Sequence, residues 1–462
     1  MLQHLVPPGG GAVPLAAVTP DELPGRLAAL GPGVERWAEA TRFAAKEGQV
    51  LLLPDESGRL ARVLVGRSET DPIWSLAACP DALPEETYAL DGPGDRDGAT
   101  RLALGWALGS YGFTRYRKRE RAPARLEWPA GADKARVEAI AEAAFLARDL
   151  INTPAEDLGP AELAGAAEDM AARLGARCRL IVGDALLTEN YPAVHAVGRA
   201  STRAPRLVDL TWGDARAPKL TLVGKGVCFD SGGLDLKTAS GMRMMKKDMG
   251  GAATLLGLAQ AIMALNLPVR LRVLVPAVEN SVAGNAFRPL DVLSTRKGIT
   301  VEVGNTDAEG RLILCDALTE AVSESPALLV DMATLTGAAR VALGPDLPAL
   351  FCNDDALAGD LIAAGTAEGD PLWRLPLWRP YREMLNSPVA DINNVSESGF
   401  AGAIVAALYL AEFVPDSVPW AHIDTFAWNQ KTRPGRPEGG EALGLRALLS
   451  LIERRLVTQR SA

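Results

Sequence analysis

The chain has 462 residues, 48% hydrophobic and 23% charged, with a formal net charge of −9 and a pI of about 5.2. That length allows two or three domains with substantial cores, and the acidic balance argues against a nucleic-acid partner. No apolar run is long enough to span a bilayer, and the opening MLQHLVPPGGGAVP lacks the basic and apolar segments of a signal peptide, so neither membrane nor export is expected.

Residues 49–66 (QVLLLPDESGRLARVLVG) read as a hairpin, with two apolar runs around a D-E-S-G turn. Residues 99–113 read as a helix, and the basic cluster RYRKRERAPAR at 115–125 as a solvated linker face. An Ala-rich segment of strong helix propensity follows at 132–152, stopped by Thr153-Pro154. The expected division is an N-terminal α/β domain over 1–128, a connecting helix within 129–152 and a larger domain over 153–462.

Strands and helices then alternate. TLVGKGVCF (221–229) reads as a buried strand, 249–265 as a helix that Asp248 could cap, and 269–278 and 299–303 as strands. Thr306 and Glu309 have capping-box spacing, and apolar residues at 312, 313, 314, 317, 318, 321 and 322 mark one helical face. Residues 327–337 and 420–426 read as further strands. This alternation predicts a mostly parallel sheet covered by helices on both faces. Sites in such sheets form at the carboxyl ends of strands, where Lys225 to Asp230, Asp307 to Arg311 and Leu335 to Gly337 fall.

Three histidines (His4, His195 and His422) exclude a His-rich zinc site, and neither H-E-x-x-H nor G-x-S-x-G is present. The five cysteines are scattered, odd in number and without C-x-x-C spacing, which fits a reducing cytoplasm. A metal would therefore be held mainly by carboxylates. In isolation each candidate has an ordinary reading: Asp248 as a helix cap, Lys237 as a solvated loop residue, Glu309 as part of a capping box. Lys225 resists one, because a lysine inside V-G-K-G-V needs a carboxylate or a metal beside it. Arg311 also fits poorly, as a cation in a first helical turn opposes the dipole. A paired metal site accounts for them together. Asp230, Asp248, Asp307 and Glu309 would supply bridging carboxylates and Lys225 a neutral amine. Lys237 and Arg311 would face developing negative charge.

Four segments carry a resemblance: V-G-K-G-x-x-F-D-S-G-G at 223–233, MKKDMGGAA at 245–253, N-T-D-A-E-G-R-L at 305–312 and D-x-A-T-L-T-G-A at 331–338. With ARDLINTPAEDLGPAELA at 147–164, they closely resemble the cytosolic leucyl aminopeptidases, dinuclear-metal exopeptidases. The resemblance covers about residues 99–462. It implies a two-domain α/β protein with a variable N-terminal domain and a catalytic metallopeptidase domain over 153–462. The N-terminal residue of a peptide would be released by a hydroxide bridging two metal ions, zinc or manganese, with magnesium or cobalt as alternatives. One ion would be bound by Asp230, Asp307 (side chain and backbone carbonyl) and Glu309. The other would be bound by Lys225, Asp230, Asp248 and Glu309. Lys237 and Arg311 match the two catalytic positions, and Gly310, Arg311 and Leu335 the cradle of a bicarbonate that acts as general base. Met245, Thr336, Gly337 and Phe426 would line the pocket for the first side chain. A cytoplasmic homo-hexamer acting on peptides is implied likewise.

Two departures from the family pattern bear on substrate preference. Lys237 is followed by Thr-Ala-Ser-Gly rather than Pro-Ser-Ala-Gly, and WAHIDTFAW (420–428) stands for W-A-H-L-D-I-A-G. Phe426 thereby replaces a small residue, so a pocket narrowed for slender first residues is expected, unless the ring turns into the core. Two other readings stay open at this stage: another carboxylate-bridged dimetal hydrolase, such as a phosphoesterase, and a non-catalytic relative that binds peptide.

Overall fold

The computed structural model describes residues 2–68, 71–91 and 95–457. The chain divides into two compact units, Met1–Phe145 with Lys431–Glu438, and Leu146–Gln430 with Gly439–Ala462. The division falls within the long helix Lys134–Asn152, inside the segment expected to connect two domains. The return of residues 431–438 to the first unit has no counterpart in the sequence reading.

The first unit holds a six-stranded sheet in the order Leu5–Val6, Arg125–Glu127, Thr87–Leu90, Val13–Val18, Leu60–Gly66, Val50–Pro54. Only the last pair is antiparallel. It is the expected hairpin, and Asp55 closes its turn by accepting from the Ser57 and Arg59 amides at 2.8 and 3.0 Å. The helix expected at 99–113 runs instead over Arg96–Gly109. It starts earlier because the Asp95 carboxylate caps it, accepting from the Gly98 amide at 2.6 Å. Within the basic cluster, Arg119 and Arg121 donate to the carbonyls of Tyr111 and Asp81, so these two arginines brace the unit rather than only facing water.

The second unit is built on a nine-stranded sheet. Its centre is four parallel strands, Trp420–Asp424, Leu328–Ala333, Lys219–Gly224 and Arg270–Asn280 in that order. Antiparallel strands flank them: Ala349–Cys352 on one side, Arg206–Trp212 and then Arg177–Val182 on the other. The central strands are buried along nearly their whole length, as a parallel sheet covered on both faces requires. The helices Gly250–Ala264 and Glu309–Val322 pack against it. The first is buried through Met263 and the second all round its first ten residues, so neither has the single apolar face of a surface helix. Close approach explains the small residues of MGGAA: a methyl group at Gly251 would lie 2.0 Å from the Met332 carbonyl oxygen.

The strand expected at 221–229 is two strands, Lys219–Gly224 and Gly226–Asp230, broken at Lys225. At the break the Lys225 amide donates to the Met332 carbonyl and its own carbonyl accepts from the Ala252 amide, each at 3.0 Å. The second segment then pairs with residues 277–280 through an irregular register. The break brings Lys225 out at the carboxyl ends of Lys219–Gly224 and Leu328–Ala333 and sends Asp230 onward to the end of Arg270–Asn280.

Candidate metal centre and its cavity

At these carboxyl ends several loops converge around a cavity of about 490 Å³. Four segments bring charged residues that the sequence singled out: Lys225, Asp230 with Lys237, Asp248, and Asp307. The Asp230 carboxylate accepts from the Gly232 amide and from Asn280 Nδ2, both at 2.9 Å. Asn280 Nδ2 also donates to the Thr306 carbonyl at 3.1 Å, tying Asp230 to the loop that carries Asp307. Asp248 lies in the 3₁₀ turn Met245–Met249, not at the cap of the following helix. Its carboxylate instead accepts from the Thr334 hydroxyl at 2.7 Å. The capping box is likewise absent: Ala308 is the N-cap residue of Glu309–Val322, without a side-chain bond. The Thr306 hydroxyl is engaged elsewhere, donating to the Gly232 carbonyl at 2.6 Å and accepting from the Asp235 amide.

Asp230, Asp307 and Glu309 can each offer an oxygen within 4.8 Å of the other two. Two lysines enter this acid cluster. Lys225, 3% exposed, places Nζ 2.7 Å from Asp248 Oδ2, 2.9 Å from Glu309 Oε1 and 3.0 Å from the Thr334 carbonyl oxygen. Lys237 Nζ bridges Asp307 and Asp230, 2.8 Å from the latter. Gly310 carries no side chain for a visible reason: a methyl group there would fall 2.7 Å from Lys225 Nζ.

The cluster is electrostatically divided. Burial, with the negative charge of Asp230 next to it, pushes Glu309 up to about 8 and Asp307 up to about 6. Burial also works against an ionised Asp230, but Lys225 and Lys237 outweigh it and hold that carboxyl below the usual range. Both lysines are raised: burial opposes their charge, and the carboxylates around them overcome it. The donor set fits a cation. Among the described residues Glu309 Oε2 is buried without a hydrogen-bond partner, and Glu309 Oε1, Asp248 Oδ2 and Asp307 Oδ1 are met only by the ammonium groups of Lys225 and Lys237, so the buried carboxylates call for positive charge. Hard oxygen donors with one amine suit zinc, manganese, magnesium or cobalt.

The structure does not bring every candidate to the cavity wall. Glu309, Gly310 and Arg311 sit behind it. Arg311 is buried, and its Nη1 donates to the Asn394 carbonyl at 2.6 Å while Nε has no partner. Burial lowers its pKa from the ordinary arginine value. Leu335, Thr336, Gly337, Met245 and Phe426 all line the cavity. Phe426 is buried, 8% exposed, with one side on the cavity. Sequence reasoning missed the residues that aim these groups: Asn280, Thr334 and Asp424. The Asp424 carboxylate accepts from the Leu335 and Thr336 amides at 2.9 and 3.2 Å and from the Thr336 hydroxyl at 2.6 Å. A charged residue closing the buried strand Trp420–Asp424 at its carboxyl end was the available signal for Asp424.

The family model described as "Cytosol aminopeptidase family, catalytic domain" matches residues 145–449, and "M17 aminopeptidase, N-terminal domain" matches residues 13–129. A probable cytosol aminopeptidase of Roseiflexus castenholzii is 42% identical over 372 residues, covering 77% of this chain and 76% of that protein. One of Leifsonia xyli subsp. xyli is 39% identical over 474 residues, covering 96% and 93%. The crystal structure of the Coxiella burnetii cytosol aminopeptidase superposes with a TM-score of 0.94 at 50% identity, over 97% of this chain and 98% of that one. The bottromycin maturation enzyme BotP in complex with Mn gives a TM-score of 0.87 at 35% identity, covering 96% and 99%.

Proposed function

Since the chain belongs to the cytosol aminopeptidase family of metal-dependent exopeptidases, we propose that its activity resides in the cavity at the sheet's carboxyl ends and that the residues gathered there divide the work as follows. Asp230, Asp307 and Glu309 hold one divalent ion, with the Asp307 carbonyl assisting. Lys225, Asp230, Asp248 and Glu309 hold the second. When bound, such a pair supplies Lewis-acid polarisation of the scissile carbonyl and activation of water near neutral pH. Lys225, which lies between Asp248 and Glu309, would serve as a neutral amine in the loaded site, its proton passing to solvent on loading. Lys237, whose ammonium lies on Asp230 and Asp307 at the cavity wall, would face the carbonyl oxygen that becomes anionic. Arg311 with Gly310 and Leu335 cradles a bicarbonate, an anion able to hold a proton beside the leaving amine. The partnerless buried Arg311 Nε supports this role. Met245, Thr336, Gly337 and Phe426 wall the pocket for the first side chain. The domains assigned are an N-terminal α/β domain over 1–128, a connecting helix over 129–152 and the catalytic domain over 153–462.

The observation that carries this reading is the convergence of Asp230, Asp307 and Glu309, buried or half-buried carboxylates within ligand distance of one another and compensated, among the described residues, only by lysine ammonium groups. Manganese or zinc is the ion we assign, supported by the oxygen-rich donor set and by the manganese bound in BotP. We place the enzyme in the cytoplasm, a reading supported by five free cysteines. No helix among the described residues is long and apolar enough to cross a membrane. We assign a homo-hexamer, a reading supported by the presence of exposed apolar side chains such as Leu290 and Phe400. The test is release of amino acid from a panel of aminoacyl amides and peptides with added Mn²⁺ or Zn²⁺, with metal content measured on the same protein. Hydrolysis from the amino end that follows metal content is expected. A folded, fully metal-loaded protein that cleaves none of the panel would overturn the assignment.

A further inference from the structure

Beside the acid cluster, one wall of the cavity is cationic, which peptide-bond cleavage does not require. Lys247 Nζ lies 5.0 Å and Arg340 Cζ 4.9 Å from the centre of the Phe426 ring. The Lys247 side chain is 7% exposed, and it lines the cavity together with Arg340 and Phe426. Among the described residues its ammonium has no hydrogen-bond acceptor. Its nearest carboxylate oxygen is Asp248 Oδ1 at 4.0 Å, which already accepts from the Thr334 hydroxyl. Arg340 forms no ion pair among the described residues. Asp424, the other acid at this end, has both oxygens engaged by Leu335 and Thr336. A buried ammonium with an aromatic ring beside it, and with its nearest carboxylate 4.0 Å away and already engaged, lacks the close anion that ordinarily accompanies such a charge.

We propose that Lys247 and Arg340 form a carboxylate-binding subsite for the side chain of the substrate's first residue, so that peptides beginning with glutamate or aspartate are favoured over their uncharged isosteres. The proposal rests on the assignment of Met245, Thr336, Gly337 and Phe426 as the first-residue pocket. Both cations lie against the Phe426 ring, which takes up space in the pocket and so suits a slender acidic side chain better than a branched apolar one.

Glutamyl and glutaminyl anilides differ in charge but scarcely in size, and neither has a free carboxyl terminus. Their kcat/KM ratio on the metal-loaded enzyme is expected to be about tenfold or more in favour of glutamyl, the range for one charge-assisted contact. Lys247→Met and Arg340→Gln should each bring that ratio toward one. The ratio cancels losses of folding or metal common to both substrates. A ratio of one or less in the parent protein overturns the proposal, as does an unchanged ratio in both variants. Alanyl-alanine and its amide form the second arm: a strong preference for the free dipeptide, lost in the variants, would assign the cations to the substrate's carboxyl terminus and overturn the side-chain subsite. Calorimetric binding of L-glutamate and L-glutamine reads the subsite without turnover. Tighter glutamate binding without hydrolysis of either anilide would refute the aminopeptidase site and keep the subsite, whereas equal binding of the two would overturn the subsite.

Discussion

Replacing Gly310 by alanine would put a methyl carbon 2.5 Å from Lys225 Cε and 2.7 Å from its Nζ. Carbon contacts settle at about 3.5–4.0 Å, so the lysine must retreat by about 1 Å. Lys225 is almost fully buried, and its Nζ lies 2.7 Å from Asp248 and 2.9 Å from Glu309. A retreat of that size takes both contacts beyond hydrogen-bond reach. Overpacking of this kind costs about 1–3 kcal/mol, a fall in Tm on the order of 2–4 °C per kcal/mol for a unit of this size. The consequence for metal should be larger. Disturbing groups that merely orient ligands lowers metal affinity about 10–100-fold, and displacing a ligand should exceed that for the ion beside Asp248. Thermal melting, competition titration with a chelator and kcat measure the three effects. Lys225→Met supplies the control, because in that background the methyl group meets a different neighbour and Gly310→Ala should add little. Additive effects in the double variant would refute the crowding argument. A lowered Tm with both ions still tightly bound would show that Lys225 is an ion-pair partner and not a ligand.

Lys237→Ala should retain both ions and lose about 10²–10³ in kcat, the range for one preorganised oxyanion donor, and unchanged turnover would reject that role. Arg311→Ala should lose less and abolish any bicarbonate dependence of the rate; persisting activation would reject the anion cradle. Metal binding should be steeply pH-dependent. Glu309 and Asp307, pushed up to about 8 and about 6 by burial and by Asp230, hold protons more readily folded than unfolded. Their contribution to the stability of the metal-free protein is therefore fullest below the unfolded carboxylate pKa of about 4 and is lost as pH rises through 6 to 8. Metal affinity should climb across that window with release of protons, countable by calorimetry in buffers of different ionisation enthalpy, and a flat affinity from pH 6 to 8 would contradict it. Phe426→Ala should raise kcat/KM for leucyl and phenylalanyl amides more than for alanyl, since each added methylene contact is worth about 1–3 kcal/mol; an equal change across the three would remove Phe426 from the pocket.

The architecture was legible because the buried strands and the helices between them carry distinct apolar periods, and because a lysine in a buried strand has few explanations. Lys225 proved to mark the break between two strands. Local rules misled where tertiary bonds captured the side chain they invoke. Asp248 has the residue type of a cap, yet its carboxylate is taken by Thr334. Thr306 has the spacing of a capping box, yet its hydroxyl is taken by Gly232. Asn280 and Thr334 were not legible, because their partners lie 50 and 86 residues away. Lys247 was hidden by its setting, as M-K-K-D reads as a solvated charge run until the ring of Phe426 is seen beside it. The departure of residues 431–438 to the first unit was equally out of reach, since their composition does not differ from that of an ordinary loop.

The central claim is that two ions share one cluster of four carboxylates and a lysine amine, and anomalous scattering from manganese-loaded crystals tests it most directly. The account predicts two peaks about 3.5–4 Å apart, one reached by Asp230, Asp307 and Glu309 and the other by Lys225, Asp248, Asp230 and Glu309. Loss of the second peak in Asp248→Ala, with the fold intact, would accompany them. A single peak in the parent protein, or a second peak out of reach of Lys225 and Asp248, would contradict the account.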